Sequence, residues 1–424
     1  MDTKGAGKAI AVIATLDTKG PETAYIKECI ERLGFGVVVV DTGILDGPRS
    51  DCPAPDIAAD RICAAGGEDR CYLAEHKAER GSRERGVRAM CRGSALILRE
   101  LYDQGRICGV LGLGGAQGTE ICTYAMRALP LGVPKVMVST VASGITPFGI
   151  YTGTRDLTIM HSVVDIMGLN SLTRRILANA AGAVCGMAAV EAPAEEGHRL
   201  RVGLTLYGQT TPQGMALKPL LEAQGYEVFS FHSNGTGGKA MEEMACEGFL
   251  DALLDLTIHE VTDELFGGIH PSDHTRLLDG GRAGLPRLVV PGAADIITLR
   301  EPETVPREYC QQPSVPHNPH ITLVRITPEQ SVRLAKVMAE RLNQARGPVA
   351  IAVPWGGFSF YNREGLHFRN LEADQALVNT LRAELKPAIV IHEFREHIND
   401  PSLTPKLMEL FQGLLAQAQA REAG

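Results

Sequence analysis

KAIAVIATLDTKGPETAYIKECIERLGFGVVVVD, residues 8–41, is the stretch on which the fold turns. Its opening run, 8–16, is apolar, short and rich in β-branched residues, and the polar loop DTKGP (17–21) bounds it; that is the pattern of a buried strand. Tyr25, Ile26, Ile30 and Leu33 then recur at three- and four-residue steps, which predicts a helix with one apolar face. Gly34 follows as a helix stop, and FGVVVV (35–40) reads as a second strand. A strand, a crossover helix and a strand in this order predict a parallel sheet with right-handed connections.

The same plan returns later in the chain. RLRVGLTL (199–206) reads as a strand, YGQTTPQG (207–214) as a loop, MALKPLLEAQ (215–224) as a helix, and YEVFSF (226–231) as the next strand. Laying Gly34 on Gly225 also lays Pro21 on Pro212 without a gap, and LGVPKVMV (131–138) matches AGLPRLVV (283–290) in the same way. Two matches in one order predict duplication: an α/β chain of two Rossmann-like, three-layer subdomains, each with a parallel sheet. The polar segment EAPAEEGH (191–198) reads as the linker, giving domains 1–192 and 199–424. Residues 53–106 form a charged, helix-rich insertion, IAVPW (351–355) and PAIVIHE (387–393) are late strands, and the C-terminal segment from Pro401 is an amphipathic helix.

Composition narrows the function. The 424 residues carry 42 Lys+Arg against 50 Asp+Glu, a net charge of −8, which argues against nucleic acid or an anionic membrane as partner. No apolar run reaches the ~18 residues of a membrane span, and IAVIATL (10–16) lacks a signal-peptide cleavage pattern, so a cytoplasmic location is expected. The ten cysteines include no C-x-x-C pair, and free thiols in a reducing compartment are the expectation.

Glycine is enriched, 46 of 424, and clustered where strands end. In GLGGAQGTE (112–120), Gly114, Gly115, Ala116, Gln117, Gly118 and Thr119 join a strand to a helix, so first-turn amides can donate to phosphate oxygens. The alternative is a plain tight turn. Gln117 breaks the G-x-G-x-x-G dinucleotide fingerprint, although Asp41 stands where a ribose-binding acid would lie. DTKG (17–20), DTG (41–43) and STVASG (139–144, with Ser143 and Gly144) end neighbouring strands and are expected to line one crevice. Thr18, Lys19, Thr42 and Gly43 bring donors there, and Asp17 and Asp41 suit ribose hydroxyls or a magnesium shell. SNGTGGKAM (233–241) is a second anion candidate through Gly238 and Lys239, but Ser233 and Ala240 break the Walker A pattern.

Catalytic patterns are sparse. HEFREH (392–397) is not HExxH, because Glu396 stands where the second histidine belongs, and no G-x-S-x-G elbow occurs. His161 and Asp165 are expected one helical turn apart, as a structural pair or a dyad. His259 and Glu260 follow a strand, and pairing with His317 would supply acid–base chemistry; the alternative is a hydrogen-bonded loop.

IATLDTKGPE (13–22), GLGGAQGT (112–119), GTRDLTIMHSVVDIMGLN (153–170), VVPGAADI (289–296) and HNPHITLVRITPE (317–329) together resemble the ATP-binding domain family of the tomato mosaic virus resistance protein and its bacterial relatives. The resemblance runs in order through nearly the whole chain. It implies two Rossmann-like subdomains, bound ATP with Mg2+, and a homodimer or higher homo-oligomer, and it brings no catalysed reaction with it. The matching segments make 17–20, 41–43, 112–119 and 139–144 the nucleotide-site candidates. Ala116 stands where the family usually has Ser or Gly, removing a phosphate donor, and Arg155 where it usually has Ser. The expectation is an ATP-binding regulatory or binding module, or one with slow ATP-linked activity, with a protein or small-molecule partner. The alternative is a metabolic enzyme acting on a small phosphorylated or carboxylated substrate in an interdomain cleft. A nicotinamide-dependent reductase is the third reading.

Overall fold

The computed structural model describes residues 9–44, 52–76, 78–143, 149–191, 197 and 199–422. The chain divides into two compact units, residues 1–194 and 195–424, both of the α/β class. In the first unit, β1 (Ala9–Ala14), β2 (Gly36–Asp41), β3 (Ile107–Gly114), β4 (Lys135–Ser139) and β5 (Thr158–His161) form one sheet in the order β2-β1-β3-β4-β5. Every pairing is parallel.

Side chains of β1 alternate between two cores. Ile10, Val12 and Ala14 cluster with Ile26 and Ile30 of the helix Leu16–Arg32 and with Leu177 and Val184 of the helix Ser171–Ala188. Ala11 and Ile13 cluster on the other face with Ile97 and Leu98 of the helix Ser82–Asp103 and with Ile121 and Ala125 of the helix Ala116–Arg127. Helices cover both faces, so the strand is apolar throughout instead of alternating with polar residues.

In the second unit the strands are β6 (Arg201–Leu206), β7 (Glu227–His232), β8 (Ala252–Asp255), β9 (Arg287–Val289), β10 (Ile296–Leu299), β11 (Ser314–Asn318), β12 (Ile321–Arg325), β13 (Val349–Pro354) and β14 (Val390–Phe394). Six of them make a parallel sheet, β14-β13-β9-β8-β6-β7, and β10-β12-β11 make a small antiparallel sheet. Read from β7, the large sheet runs β7-β6-β8-β9-β13, the same order as β2-β1-β3-β4-β5 with β14 added at the edge. Gly34 and Gly225 close the matched first helices at φ +85° and +86°, a backbone state other L residues rarely adopt. One strand order and one helix stop, used twice, are what duplication produces.

The C-terminal helix Thr404–Glu422 lies on its own unit's sheet, with Leu407 and Phe411 fully buried beside Val202, Leu204 and Leu254. Each such side chain contributes about 1.5–3 kcal/mol on burial. Residues 53–106 contain three helices, Ala59–Ala65, Arg70–Glu75 and Ser82–Asp103. No helix among the described residues is long and apolar enough to cross a membrane.

Two local expectations are corrected. Leu33 does not join the apolar face of the first helix; it is the C-cap residue and 52% exposed. His161 and Asp165 share no helix: His161 ends β5 opposite Ser139, and Val163 at φ 65° turns the chain out of helical geometry.

Candidate functional site

In each parallel sheet the chain reverses its strand order once, between β1 and β3 and again between β6 and β8. Ligands of open α/β sheets sit beyond the carboxyl ends of the strands at such points. Both points hold chemistry here.

At the first, the segments after β1 and β3 meet. Thr15, Asp17, Thr18 and Lys19 on one side and Gly115, Ala116, Gln117 and Gly118 on the other line a cavity of about 520 Å³, closed further by Ile44 and Arg83. The helix Ala116–Arg127 begins at this cavity, so its first-turn amides, which have no partner four residues back in the helix, lie where an anion is favoured. Thr119 lies deeper; its hydroxyl pairs with the Ser139 hydroxyl at 2.7 Å and its amide donates to the Gly115 carbonyl at 2.7 Å. Gly114 belongs to β3, packed so closely on Gly118 that a Cβ there would lie 2.8 Å from the Gly118 Cα. The Arg83 guanidinium donates to the Gln117 side-chain carbonyl through Nε and Nη2, at 3.1 and 3.0 Å, and stands at the mouth of the cavity.

The remaining candidates of this unit are support or lie apart. Lys19 breaks helical geometry at φ −121° and donates through its ammonium group to the Ile166 carbonyl. Asp41 is buried at the end of β2, where its Oδ1 accepts from the amides of Leu16 and Gly43 at 3.0 and 2.9 Å. Burial raises the Asp41 carboxyl above its usual value despite those donors. Gly43 is wedged between acids, since a Cβ there would meet Asp41 Oδ1 at 3.2 Å and Asp17 Oδ2 at 3.5 Å. Thr42 is fully buried, its hydroxyl without a hydrogen-bond partner among the described residues. Ser143 is exposed after β4, and Gly144 lies outside the described residues.

Gly238 and Lys239 belong to the second unit, and internal partners occupy them. Glu260 Oε1 accepts from the amides of Gly235 and Gly238 at 2.8 and 3.2 Å, filling the place an anion would take in that loop. The Lys239 ammonium pairs with Asp273 at 2.9 Å. Behind the loop is a fully buried charge network. Arg276 bonds Asp255 at 2.6 Å, Glu260 at 3.0 Å and Glu242 at 3.4 Å, and Arg287 bonds Glu242 at 2.7 Å. Burial pushes the Glu242 carboxyl up, but Arg287 and Arg276 outweigh it and hold the group below its usual value. Glu260 is therefore a pin between Arg276 and the loop 233–238. Gly238 leaves no room for more: a Cβ would lie 2.0 Å from Glu260 Oε2 and 2.4 Å from Arg276 Nε. Gly238→Ala is expected to cost about 1–3 kcal/mol in urea unfolding by overpacking this site; a loss below about 0.5 kcal/mol would show that the network yields.

At the second reversal point, His259 and Asp263 lie one turn apart on the helix His259–Phe266, which follows β8. Gly267, at φ 73°, ends that helix and returns the chain so that His270 faces both. Candidate ligand atoms of His259, Asp263 and His270 all lie within 4.8 Å of one another. Asp263 accepts from the Thr298 amide through Oδ1 at 2.8 Å and from the His270 amide through Oδ2 at 3.0 Å. Tyr207 stacks on His259 with ring centres 3.9 Å apart, and its hydroxyl is 3.3 Å from the Thr298 hydroxyl. Burial drives the His259 imidazole well below its usual pKa, assisted by His270, His232 and Arg276, and raises the Asp263 carboxyl to about 8. His317 is exposed on β11 and takes no part in these hydrogen bonds.

Sequence reasoning passed over Arg83, Asp263, His270 and Tyr207. Only Asp263 carried a local signal, the four-residue spacing to His259 on a helical pattern. A larger cavity, about 650 Å³ and lined by Leu200, Asp251, Leu285 and Pro286, opens at the amino ends of the second sheet's strands, at the end opposite the β6–β8 reversal point.

Comparison with known proteins follows the two-unit division. The Uncharacterised protein family (UPF0261) N-terminal domain profile matches residues 8–193, and the C-terminal domain profile of that family matches residues 199–415. A UPF0261 protein of Clostridium tetani is 40% identical over 93% of this chain and 95% of its own length. One from Rhizobium meliloti is 37% identical over 96% and 99% respectively. The ToMV resistance protein Tm-1(GCR237) of Solanum lycopersicum is 32% identical over 94% of this chain and 55% of its own length. A Methanocaldococcus jannaschii UDP-GlcNAc 2-epimerase structure aligns over 95% of this chain and 92% of its own, at 9% identity and a TM-score of 0.21, too low to bear on fold or function. Two profiles in the right order, and full-length relatives above 30% identity, place the chain in the UPF0261 family.

Proposed function

We propose that the first unit is a nucleotide-binding module that holds ATP with Mg2+ in the cavity between the β1 and β3 loops. The observation that carries this reading is the convergence at one reversal point of a helix N-terminus, the Thr18 hydroxyl, the Arg83 guanidinium and the Asp17 carboxylate around about 520 Å³. That volume lies within the ~300–1,000 Å³ of ordinary small-ligand sites. The residues suit the group. First-turn amides of Ala116, Gln117 and Gly118 and the Arg83 fork meet phosphate oxygens, and Asp17 suits the water shell of a magnesium ion. Asp41 serves behind it by fixing the Leu16 amide and the Gly43 turn. ATP's contribution is a polyphosphate that orders these loops; the chain's contribution is to bind and orient it.

Thermal unfolding of the full chain with ATP, ADP, NAD or inorganic phosphate, each with and without Mg2+, tests this. Stabilisation follows RT ln(1 + [L]/Kd), about 2.7 kcal/mol at a ligand concentration of 100 Kd. The largest shift is expected with ATP and Mg2+. Equal curves with and without ATP would overturn the reading, and a shift with NAD alone would replace it with the reductase reading. A second reading, an enzyme for a small phosphorylated or carboxylated substrate, draws support from the His259–Asp263–His270 cluster of the second unit.

A further inference from the structure

His259 is 0% exposed, yet neither of its ring nitrogens has a hydrogen-bond partner among the described residues, and the same holds for the buried Nδ1 of His270. A buried polar group left unsatisfied is costly, and in a native protein it calls for a partner, commonly a water or an ion. The partner must reach three groups at once, because ligand atoms of His259, Asp263 and His270 lie within 4.8 Å of one another.

The surroundings hold these groups as ligands are held. The stacked Tyr207 ring fixes the plane of His259 at an interplanar angle of 18°. Asp263 is oriented by two backbone amides, Thr298 and His270, which leave each oxygen a further lone pair. The Ile269 amide donates to the Thr298 carbonyl at 2.8 Å, so β10 also positions the segment carrying His270. Gly268 admits the carboxylate, since a Cβ there would lie 2.0 Å from the Asp263 Cγ. Supporting contacts of this kind orient the primary ligands of metal sites.

We propose that His259, Asp263 and His270 form a site for one divalent transition-metal ion of the zinc, iron(II) and cobalt(II) class in the second unit. Two imidazoles and a carboxylate suit that class, whereas Ca2+ and Mg2+ take oxygen ligands. An ion bound at ~2.1 Å needs donor atoms ~3.4 Å apart in tetrahedral geometry, a spacing inside the 4.8 Å that bounds these ligand atoms. Three protein ligands leave a position open for water or an anionic oxygen of a small molecule, the arrangement of catalytic sites rather than closed structural ones. The location beyond the ends of β6 and β8 is where such a molecule would arrive. This inference stands apart from the nucleotide reading, which concerns the first unit.

The test uses the full chain, dialysed against a chelator and titrated with Co2+, with visible absorption as the readout and Zn2+ competition for affinity. One equivalent per chain is expected, with d–d bands of a four- or five-coordinate ion. His270→Ala, at a half-buried position, is expected to weaken binding at least a hundredfold while the protein stays folded, and His259→Gln to do the same. His320→Ala, which removes an exposed histidine beside Glu301, is expected to change nothing. Absence of stoichiometric binding by the unsubstituted chain would overturn the proposal and leave a buried water as the partner. Unchanged affinity in His270→Ala would overturn it equally, whether or not the His259 variant folds.

Discussion

Gly115→Val is expected to weaken ATP binding at least a hundredfold, about 2.8 kcal/mol, while leaving the fold intact. Gly115 caps the helix Ala116–Arg127 at φ −80° and ψ −158°, an extended conformation open to any L residue. A Cβ added there meets only the Thr140 hydroxyl, at 3.6 Å. The valine methyl groups therefore enter the cavity that Gly115 lines instead of the core. Phosphate oxygens must come within ~2.7–3.2 Å of the amides they accept from, and the methyl groups occupy that space. Calorimetry measures the affinity, and urea unfolding should move by no more than about 0.5 kcal/mol. Gly114→Ala would not separate the two effects, because its Cβ would press on the backbone of Gly118 at 2.8 Å. Undiminished affinity in Gly115→Val would move the nucleotide to another loop.

The largest loss of stability is expected from Arg276→Ala. One guanidinium, fully buried, bonds Asp255, Glu260 and Glu242, and also donates to the Thr257 carbonyl at 2.9 Å. Breaking a buried ion pair from one side costs about 3–5 kcal/mol, because the charge left behind is uncompensated. Glu242, held below its usual value by Arg287 and Arg276 together, then loses one of the two charges that keep it ionised, and its folded-state pKa moves up. The stability lost relative to the unsubstituted chain is therefore greatest near neutral pH and shrinks in acid, where Glu242 is protonated in both chains. Denaturant unfolding at two pH values reads both the size and the sign. Lys239→Ala, which breaks the partly exposed pair with Asp273, is expected to cost about 0–1 kcal/mol by contrast. A loss below about 1 kcal/mol in Arg276→Ala would mean that the network is not under the strain of burial.

What could be read from the chain, and what could not, divides by distance along it. The β1 run, the helix stop at Gly34 and its repeat at Gly225 are local patterns, and each dictates its element through sterics and burial. The meeting of 17–19 with 115–118 follows from the strand order, because β1 and β3 are neighbours once β2 lies outside them. Arg83 was not legible, since it stands on a helix of the charged insertion, whose docking no spacing specifies. The glycine loop at 235–238 has the shape of an anion cradle, but a carboxylate 22 residues beyond Gly238 takes its amides. That substitution of Glu260 for a ligand depends on Arg276, a tertiary contact invisible in the motif. His270 likewise reaches His259 only through the turn at Gly267 and the β10 contacts of Thr298.

In the proposed complex, polyphosphate sits among the strand-end loops of the first unit. Backbone hydrogen exchange with and without ATP and Mg2+, read peptide by peptide, measures this where it happens. Slowed exchange is expected at 15–19 and 114–119, with 233–239 unchanged because Glu260 already holds that loop. Protection at 233–239 with none at 114–119 would put the polyphosphate in the other loop and end the proposal.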